Sequence, residues 1–564
     1  MTTFFKRFFL ILGGVFWLGF FGLASGVYSL DLRVGEQKEI DPGVRWNQSY
    51  VDGGCSTKED KCLFVWRDKR NDPGNENDGR LPDGLSFYGA NSNADIYGLF
   101  VKGDGTPIGS DFLISVEPVP DVRKVDQAAP EVVYNPVHDE FFVVWHEADP
   151  RATSQGYAAF CTEGGYDIYA QRVSPTQELL GNKIVVSKAP DCQWKPRVAY
   201  DPFQDVYLIT WHDHRYRYST YKEIFGQFVR GNGELLGENF LITYDSVANR
   251  NVGAHCYQEY SAVAFNQIKK EFLVVWADDR EKTADCGRDF QHDIWGQRLS
   301  WENEVKYIGG NFPIYKGAGI QNMPEVAFNP NNGGYFVVWH NYDNGVPPYA
   351  PFGMKLSGEG VPQGRIVIDS SNFRYYAFPT VETEEITGNY LVAWERGVAL
   401  VQGFSQEGEV FTNRVAFDGW AGIRPTLIYN KTRGDFLFLH SARVNGYDRI
   451  FYSNIRMSGQ EITLSPTPLA TATVTLTPVP TQENSPIPTP ICLCPNGVQT
   501  KSKGDANCDN VIDERDFRFW LEQFRGNLNS ENSADFNCDG KVDGIDFEYW
   551  RRGNAGGSED LGRS

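Results

Sequence analysis

Two twelve-residue stretches near the end of the chain carry the most specific chemistry. Asp505 to Asp516 reads DANCDNVIDERD and Asp535 to Asp546 reads DFNCDGKVDGID, so both put side-chain oxygens at loop positions 1, 3, 5, 9 and 12. A hard cation such as Ca²⁺ takes about six to eight oxygen ligands, and alternate side chains of a tight loop converge on it. The expected ligands are Asp505, Asn507, Asp509, Asp513 and Asp516 in the first loop, and Asp535, Asn537, Asp539, Asp543 and Asp546 in the second. The backbone carbonyls of Val511 and Lys541, at position 7, complete each shell. Gly540 suits the sharp turn at position 6, and Asn510 tolerates the same left-handed conformation. So many carboxylates on one short loop repel without a cation, and the pattern occurs twice. Two Ca²⁺ ions are therefore the expected cofactors.

A second set of candidates is scattered through the middle of the chain, and only a repeat can bring it together. Between residues 40 and 460 a four-part pattern returns. Its first part is a short strand such as Pro130-Glu-Val-Val-Tyr134, Pro196-Arg-Val-Ala-Tyr200 or Pro324-Glu-Val-Ala-Phe328. Its second and strongest part ends in Trp66, Trp145, Trp211, Trp276, Trp339 and Trp394, and in degraded form at His440. The third resembles Asp95-Ile-Tyr-Gly98 or Asp293-Ile-Trp-Gly296, and the fourth follows a turn such as Gly103-Asp-Gly105. Short β-branched and aromatic strands separated by turn residues, repeated about seven times, predict a mainly β chain. The architecture expected is a β-propeller of about seven four-stranded blades spanning residues 27–464. Six or eight blades fit as well, and one blade can be completed by both chain ends. The recurring Trp is expected in the core of every blade. In Trp-x-Asp-x-Arg, at Trp66 to Arg70, Trp211 to Arg215 and Trp276 to Arg280, the Asp and Arg are expected to form an ion pair that ties neighbouring blades.

In such a meander, the ends of second strands and the starts of first and third strands share one face. That face would collect His146, Trp194, His212, His214, Tyr257, Tyr260, His340, Tyr375, Tyr376 and Arg424. Aromatic faces mixed with polar groups suit sugar C–H surfaces and hydroxyls, so a polysaccharide is a candidate ligand, with ordinary loop residues as the bland alternative. Glycoside hydrolysis needs two carboxyls in different protonation states. Glu259 and Asp213 are the candidates, and a polysaccharide lyase is a further possibility. A ring of His146, His212 and His340 could hold a metal, although nothing in the pattern supplies four-coordinate geometry. No Gly-x-Ser-x-Gly or His-Glu-x-x-His motif occurs. A purely structural role in surface assembly needs no ligand.

Composition agrees with a turn-rich β protein: among 564 residues, 57 are Gly and 30 Pro, and 14% are aromatic. A net charge of −20 argues against nucleic acid and anionic membranes as partners. Lys6 and Arg7, then an apolar run from Phe8 to Phe21 and small residues at Gly22 and Ala24, read as a signal peptide over 1–24. An uncleaved anchor is the alternative. Export to a secreted or cell-surface location permits disulfides among the ten cysteines. Position along the repeats suggests the pairs 55 with 62, 161 with 192 and 256 with 286. Residues 465–491 are rich in Pro and Thr and carry a single charge, Glu483, as an extended spacer does. The last module, 492–564, follows it.

Each calcium-type loop leads into an apolar-aromatic helix start, Phe517-Arg-Phe-Trp520 and Phe547-Glu-Tyr-Trp550. Paired F-hand loops ending in Asp, behind a Pro/Thr linker, resemble a dockerin domain of type I-like character. The resemblance implies calcium-dependent folding and docking onto a cohesin-like scaffold or surface protein, in the service of polysaccharide binding or degradation. Loop positions ten and eleven, often Ser or Thr in that family, are here Glu514-Arg515 and Gly544-Ile545. A familiar cohesin partner is therefore not implied, and a self-contained calcium-stabilised cap is the blander reading. Cys508 and Cys538, with Cys492 and Cys494, could make two disulfides in this module. The middle region resembles exported bacterial propeller-repeat proteins, a likeness that names no chemistry.

Overall fold

The computed structural model describes residues 31–42, 46–71, 94–116, 126–149, 161, 165–215, 222–244, 257–280, 292–342, 350–371, 377–417 and 425–457. The chain divides into two units, residues 1–464 and 465–564, and all described residues fall in the first. The expected signal peptide, the linker and both calcium-type loops lie outside the described residues.

Seven antiparallel sheets follow one another along the chain, six of them four-stranded meanders. The first strands of the blades are Gln48–Cys55, Gln127–Asn135, Gln193–Asp201, Gln258–Asn266, Ile320–Phe328, Thr380–Thr383 and Thr426–Asn430. Each packs beside the first strand of the next blade, and that of blade seven returns to blade one, so the seven surround a central channel. Blade seven is closed by both chain ends. Leu32–Val34 pairs with Tyr447–Met457 at the outer edge, and Lys38–Glu39 pairs with the same strand. The protein is thus a seven-bladed β-propeller, an architecture whose radial repetition leaves only short, protected sheet edges.

The second strands explain why the apolar signal is strongest there. Glu140–Ala148, Val206–Asp213 and Glu271–Asp278 are buried at every residue, because they lie inside their sheets with a neighbouring blade on either face. Trp66, Trp145, Trp211, Trp276, Trp339 and Trp394 are wholly buried. Contacts run from blade to blade: Leu63, Val65 and Phe100 of blade one pack with Tyr134, Phe141 and Trp145 of blade two, with the Phe100 and Phe141 rings 5.4 Å apart. In the third strand, a Cβ on Gly226 would fall 2.8 Å from the Phe240 ring, which explains the recurring glycine of the third motif.

The expected Asp–Arg ion pair of the Trp-x-Asp-x-Arg motif forms and closes within its own blade, and Arg215 also reaches the neighbouring blade, donating to Ser187 at 3.2 Å. The Trp66, Trp211 and Trp276 indole N–H groups donate to Asp68, Asp213 and Asp278 at 2.9, 2.8 and 2.7 Å. Arg70, Arg215 and Arg280 bond the same carboxylates and lie over the third-strand rings of Tyr97, Phe225 and Trp295. The motif folds back because its residues alternate along one strand, so Trp, Asp and Arg share a side and meet at the strand end. Two disulfides join the expected partners, Cys55 with Cys62 and Cys161 with Cys192. Cys256 and Cys286 lie outside the described residues.

Candidate functional site at the central channel

The two ends of the propeller differ. On one, strands are joined by short turns such as 136–139, 202–205 and 267–270; on the other run long connections such as 69–94, 149–165 and 279–292. Loops carry function more often than the elements they join, so the long-loop end is where a site is expected.

Just inside that end, six of the seven blades share one backbone feature at the start of the first strand. Tyr50, Ala129, Lys195, Tyr260, Met323 and Phe378 all have left-handed backbone, with φ between 40° and 56°. The register slips there in blades one to five, as in a β-bulge. Such conformations cost about 1–2 kcal/mol for a residue with a Cβ. Their repetition makes them part of the blade design, and each bulge re-aims a side chain. All six residues line one central cavity of about 110 Å³.

Below the bulges, seven first-strand positions lie beside the residue preceding the Trp slot: Asp52, Glu131, Arg197, Ala262, Glu325, Thr380 and Thr426. Arg197 donates to Glu131 and to Glu325, and Asp52 accepts the Val132 backbone N–H at 2.9 Å. Burial and the neighbouring Glu131 push the Asp52 carboxyl up to about 8. Burial likewise pushes Glu325 up to about 8, against the pull of Arg197, and Glu131 shifts upward for the same reason. Three carboxyls around one guanidinium thus hold more protons at neutral pH than free acids would. These four residues were not singled out in the sequence, although Glu131, Arg197 and Glu325 all stand directly after the Pro of the first motif.

The expected face residues sit mostly beneath the surface. His146, His212 and His340 are buried, and each Nδ1 accepts a backbone N–H from the following blade, from Lys195, Tyr260 and Ala377 at 3.3, 3.4 and 3.0 Å. Burial holds His146 and His340 down near 3 and His212 well below the usual range, so they are neutral acceptors. They stitch blades together instead of presenting a ring to a metal; among the described residues, no group of three or more candidate ligands occurs. Trp194 is buried, edge-on to His212 and stacked on His214. Tyr257 lies under the Lys222 ammonium, 5.1 Å away. Tyr260 lines the cavity. Tyr375, Tyr376 and Arg424 lie outside the described residues.

The two candidate acids separate clearly. Asp213 is locked by Trp211 and Arg215, and Asp68 and Asp278 do the same in their blades. Glu259 has no acidic counterpart, for the equivalent residues are Ser49, Ala128, Trp194 and Asn322. It pairs with Lys222 at 2.6 Å, with His292 3.8 Å away. Burial alone would raise it, but Lys222, His292 and Lys195 hold its carboxyl below the usual range. Glu259, next to the cavity-lining Tyr260 in the chain, is thus held toward its ionised form, while the cavity carboxyls Asp52 and Glu325 are pushed the other way.

No family model and no curated protein matches the chain. Solved structures resemble it as folds. They include an α-L-arabinanase of Penicillium chrysogenum complexed with arabinobiose, at TM-score 0.44 and 9% identity over 75% of this chain and 99% of that one. An α-L-arabinofuranosidase of Fusarium graminearum in complex with an iminosugar inhibitor gives 0.41 and 10%, over 75% and 98%. The Dos1 propeller gives 0.41 and 7%, over 76% and 96%.

Proposed function

We propose that this is an extracellular, carbohydrate-active propeller that holds a polysaccharide at the long-loop mouth of its central channel. The observation that carries the reading is the convergence, around one cavity, of the aromatic faces of Tyr50, Tyr260 and Phe378 with Lys195, Arg197, Asp52, Glu131 and Glu325. Flat apolar faces beside a few fixed polar groups match the alternation of C–H and hydroxyl on a sugar ring. Two disulfides and a signal-like N-terminus support export. The dockerin-like segment 492–564, with two Ca²⁺ ions, would tether the propeller to a cohesin-like scaffold or surface protein.

Glu259 favours a second reading, hydrolysis of the bound glycan. Glycosidases use one ionised and one protonated carboxyl. Glu259 supplies the first, and Asp52 or Glu325 the second.

The test is affinity electrophoresis of the purified chain through gels containing plant and microbial polysaccharides, with reducing-end release assayed in parallel. Retardation by at least one polysaccharide, weakened about tenfold or more by Tyr260→Ala, is expected. No retardation by any of them would sink the carbohydrate reading. Release that Glu259→Gln abolishes while retardation persists would establish the hydrolase.

A further inference from the structure

Among the described basic groups around the channel mouth, Lys195 differs from Arg197 and Lys222 in its partner. Arg197 is held by Glu131 and Glu325, and Lys222 by Glu259. Lys195 makes no ion pair with any described residue. Its ammonium instead rests 4.5 Å from the centroid of the Tyr260 ring, and both residues line the cavity. The nearby Glu259 carboxylate is already occupied by Lys222.

Resting on the carbohydrate reading, we propose that the cavity takes an acidic glycan, with Lys195 receiving the carboxylate of a uronate residue whose ring packs on Tyr260. An ammonium at an aromatic face is a weak arrangement compared with a charge-assisted hydrogen bond to a carboxylate, so an incoming anion gains more than it displaces. Placement makes this selective. The left-handed bulge points Lys195 into the cavity, where the other five bulges offer Tyr50, Ala129, Tyr260, Met323 and Phe378, none of them charged.

The rest of the cavity does not oppose an anion. Glu131 is matched by Arg197, and Asp52 and Glu325, pushed up to about 8, are largely protonated at neutral pH. Burial draws the Lys195 ammonium down to about 8, so it is still mostly charged at pH 7. A bound carboxylate would raise it again.

The experiment compares acidic polysaccharides (polygalacturonate, alginate, glucuronoxylan, hyaluronan) with neutral ones (galactan, arabinan, unsubstituted xylan, mixed-linkage β-glucan). It uses affinity electrophoresis and calorimetry on the full chain, with acetate as a free carboxylate. At least one acidic glycan is expected to bind about tenfold more tightly than any neutral one, with affinity falling as salt rises. Lys195→Met should abolish that preference, and Lys195→Arg should keep most of it. Methionine already occupies the equivalent bulge at Met323, so the substitution suits the fold. A ¹³C-methyl-lysine titration should show the Lys195 resonance moving to higher pKa when the acidic glycan binds. Equal or stronger binding of neutral glycans would overturn the uronate proposal and leave the carbohydrate reading standing. Binding of acetate as tight as that of the acidic glycan would overturn it as well. No retention of any polysaccharide would overturn both.

Discussion

Arg197 and Glu325 meet across the central channel, from first strands two blades apart, while the same guanidinium holds Glu131 of the adjacent blade. One side chain thus ties three of the seven blades at the axis. Removing one partner of a buried ionic group strands the others, at a cost of about 3–5 kcal/mol. Arg197→Met should therefore lower the thermal midpoint. The loss should be larger at pH 8 than at pH 5, where the stranded carboxyls can take up protons. Adding Glu131→Gln and Glu325→Gln should recover most of it. Scanning fluorimetry at both pH values checks this, and a loss independent of pH would contradict the charge-based account.

Asp52 sets the alkaline side of the pH profile. Its carboxyl is near 8 in the folded protein against an ordinary 3.8, so the folded state keeps a proton that the unfolded chain releases. The associated stability is complete below about pH 4 and is lost as the pH rises to about 8, at up to ~1.4 kcal/mol per pH unit for each such group. The buried histidines act in the opposite sense: His146 and His340, near 3 against an ordinary 6.5, contribute fully above pH 6.5 and lose that contribution as the pH falls. Between pH 6.5 and 8 the raised carboxyls Asp52, Glu325 and Glu382 lose their protons, while Lys195, drawn down to about 8, acts in the opposite sense; the carboxyls outnumber it, so the melting midpoint should fall across that interval. Asp52→Asn should shrink the fall, as melts at half-unit steps would show; an unchanged slope would mean that Asp52 is ionised in the folded state.

Asp213 and Glu259 should respond differently to the same kind of substitution. Asp213→Asn disturbs hydrogen bonds to Trp211 and Arg215 inside one blade and should lower stability by about 2 kcal/mol, leaving glycan retention of the folded protein intact. Glu259→Gln frees Lys222 at the channel and should alter retention or turnover with a smaller change in melting. Denaturation midpoints and gel retardation, measured on both variants, separate the two roles. If Asp213→Asn abolished binding without loss of stability, its assignment to the blade core would fail.

Calcium titration of the full chain should report two sites, each removed singly by Asp505→Ala or Asp535→Ala, as calorimetry after chelator treatment would read. Structural calcium also links binding to folding, so chelation should expose residues 492–564 to proteolysis before the propeller. Fewer than two sites in the intact chain would argue for polar turns in place of metal loops.

The repeat, the seven Trp-slot strands and the pairing of Cys55 with Cys62 and Cys161 with Cys192 could all be read from the amino-acid order. Each depends on local alternation of apolar and turn residues, or on a fixed position within a repeat. The Trp slots were legible as core for the same reason: a strand buried on both faces must be apolar at every residue, and such a run is visible without knowing its neighbours.

The channel was legible only in part, because charge environment depends on which strands the ring brings together. Arg197 stands 66 residues from Glu131 and 128 from Glu325, and the three become one network only when blades two, three and five converge on an axis. His146, His212 and His340 looked like surface ligands because they follow buried strands. The next blade covers them, and its backbone N–H groups turn them into interblade acceptors. Asp213 looked like a candidate acid until its own Trp and Arg folded back onto it. Sequence alone thus determined the repeat and the hairpins, whose contacts are near neighbours along the chain. Tertiary structure decided which ionisable groups are buried, paired or left facing the cavity, since a pKa or an ion pair is set by distances between segments that order along the chain does not specify.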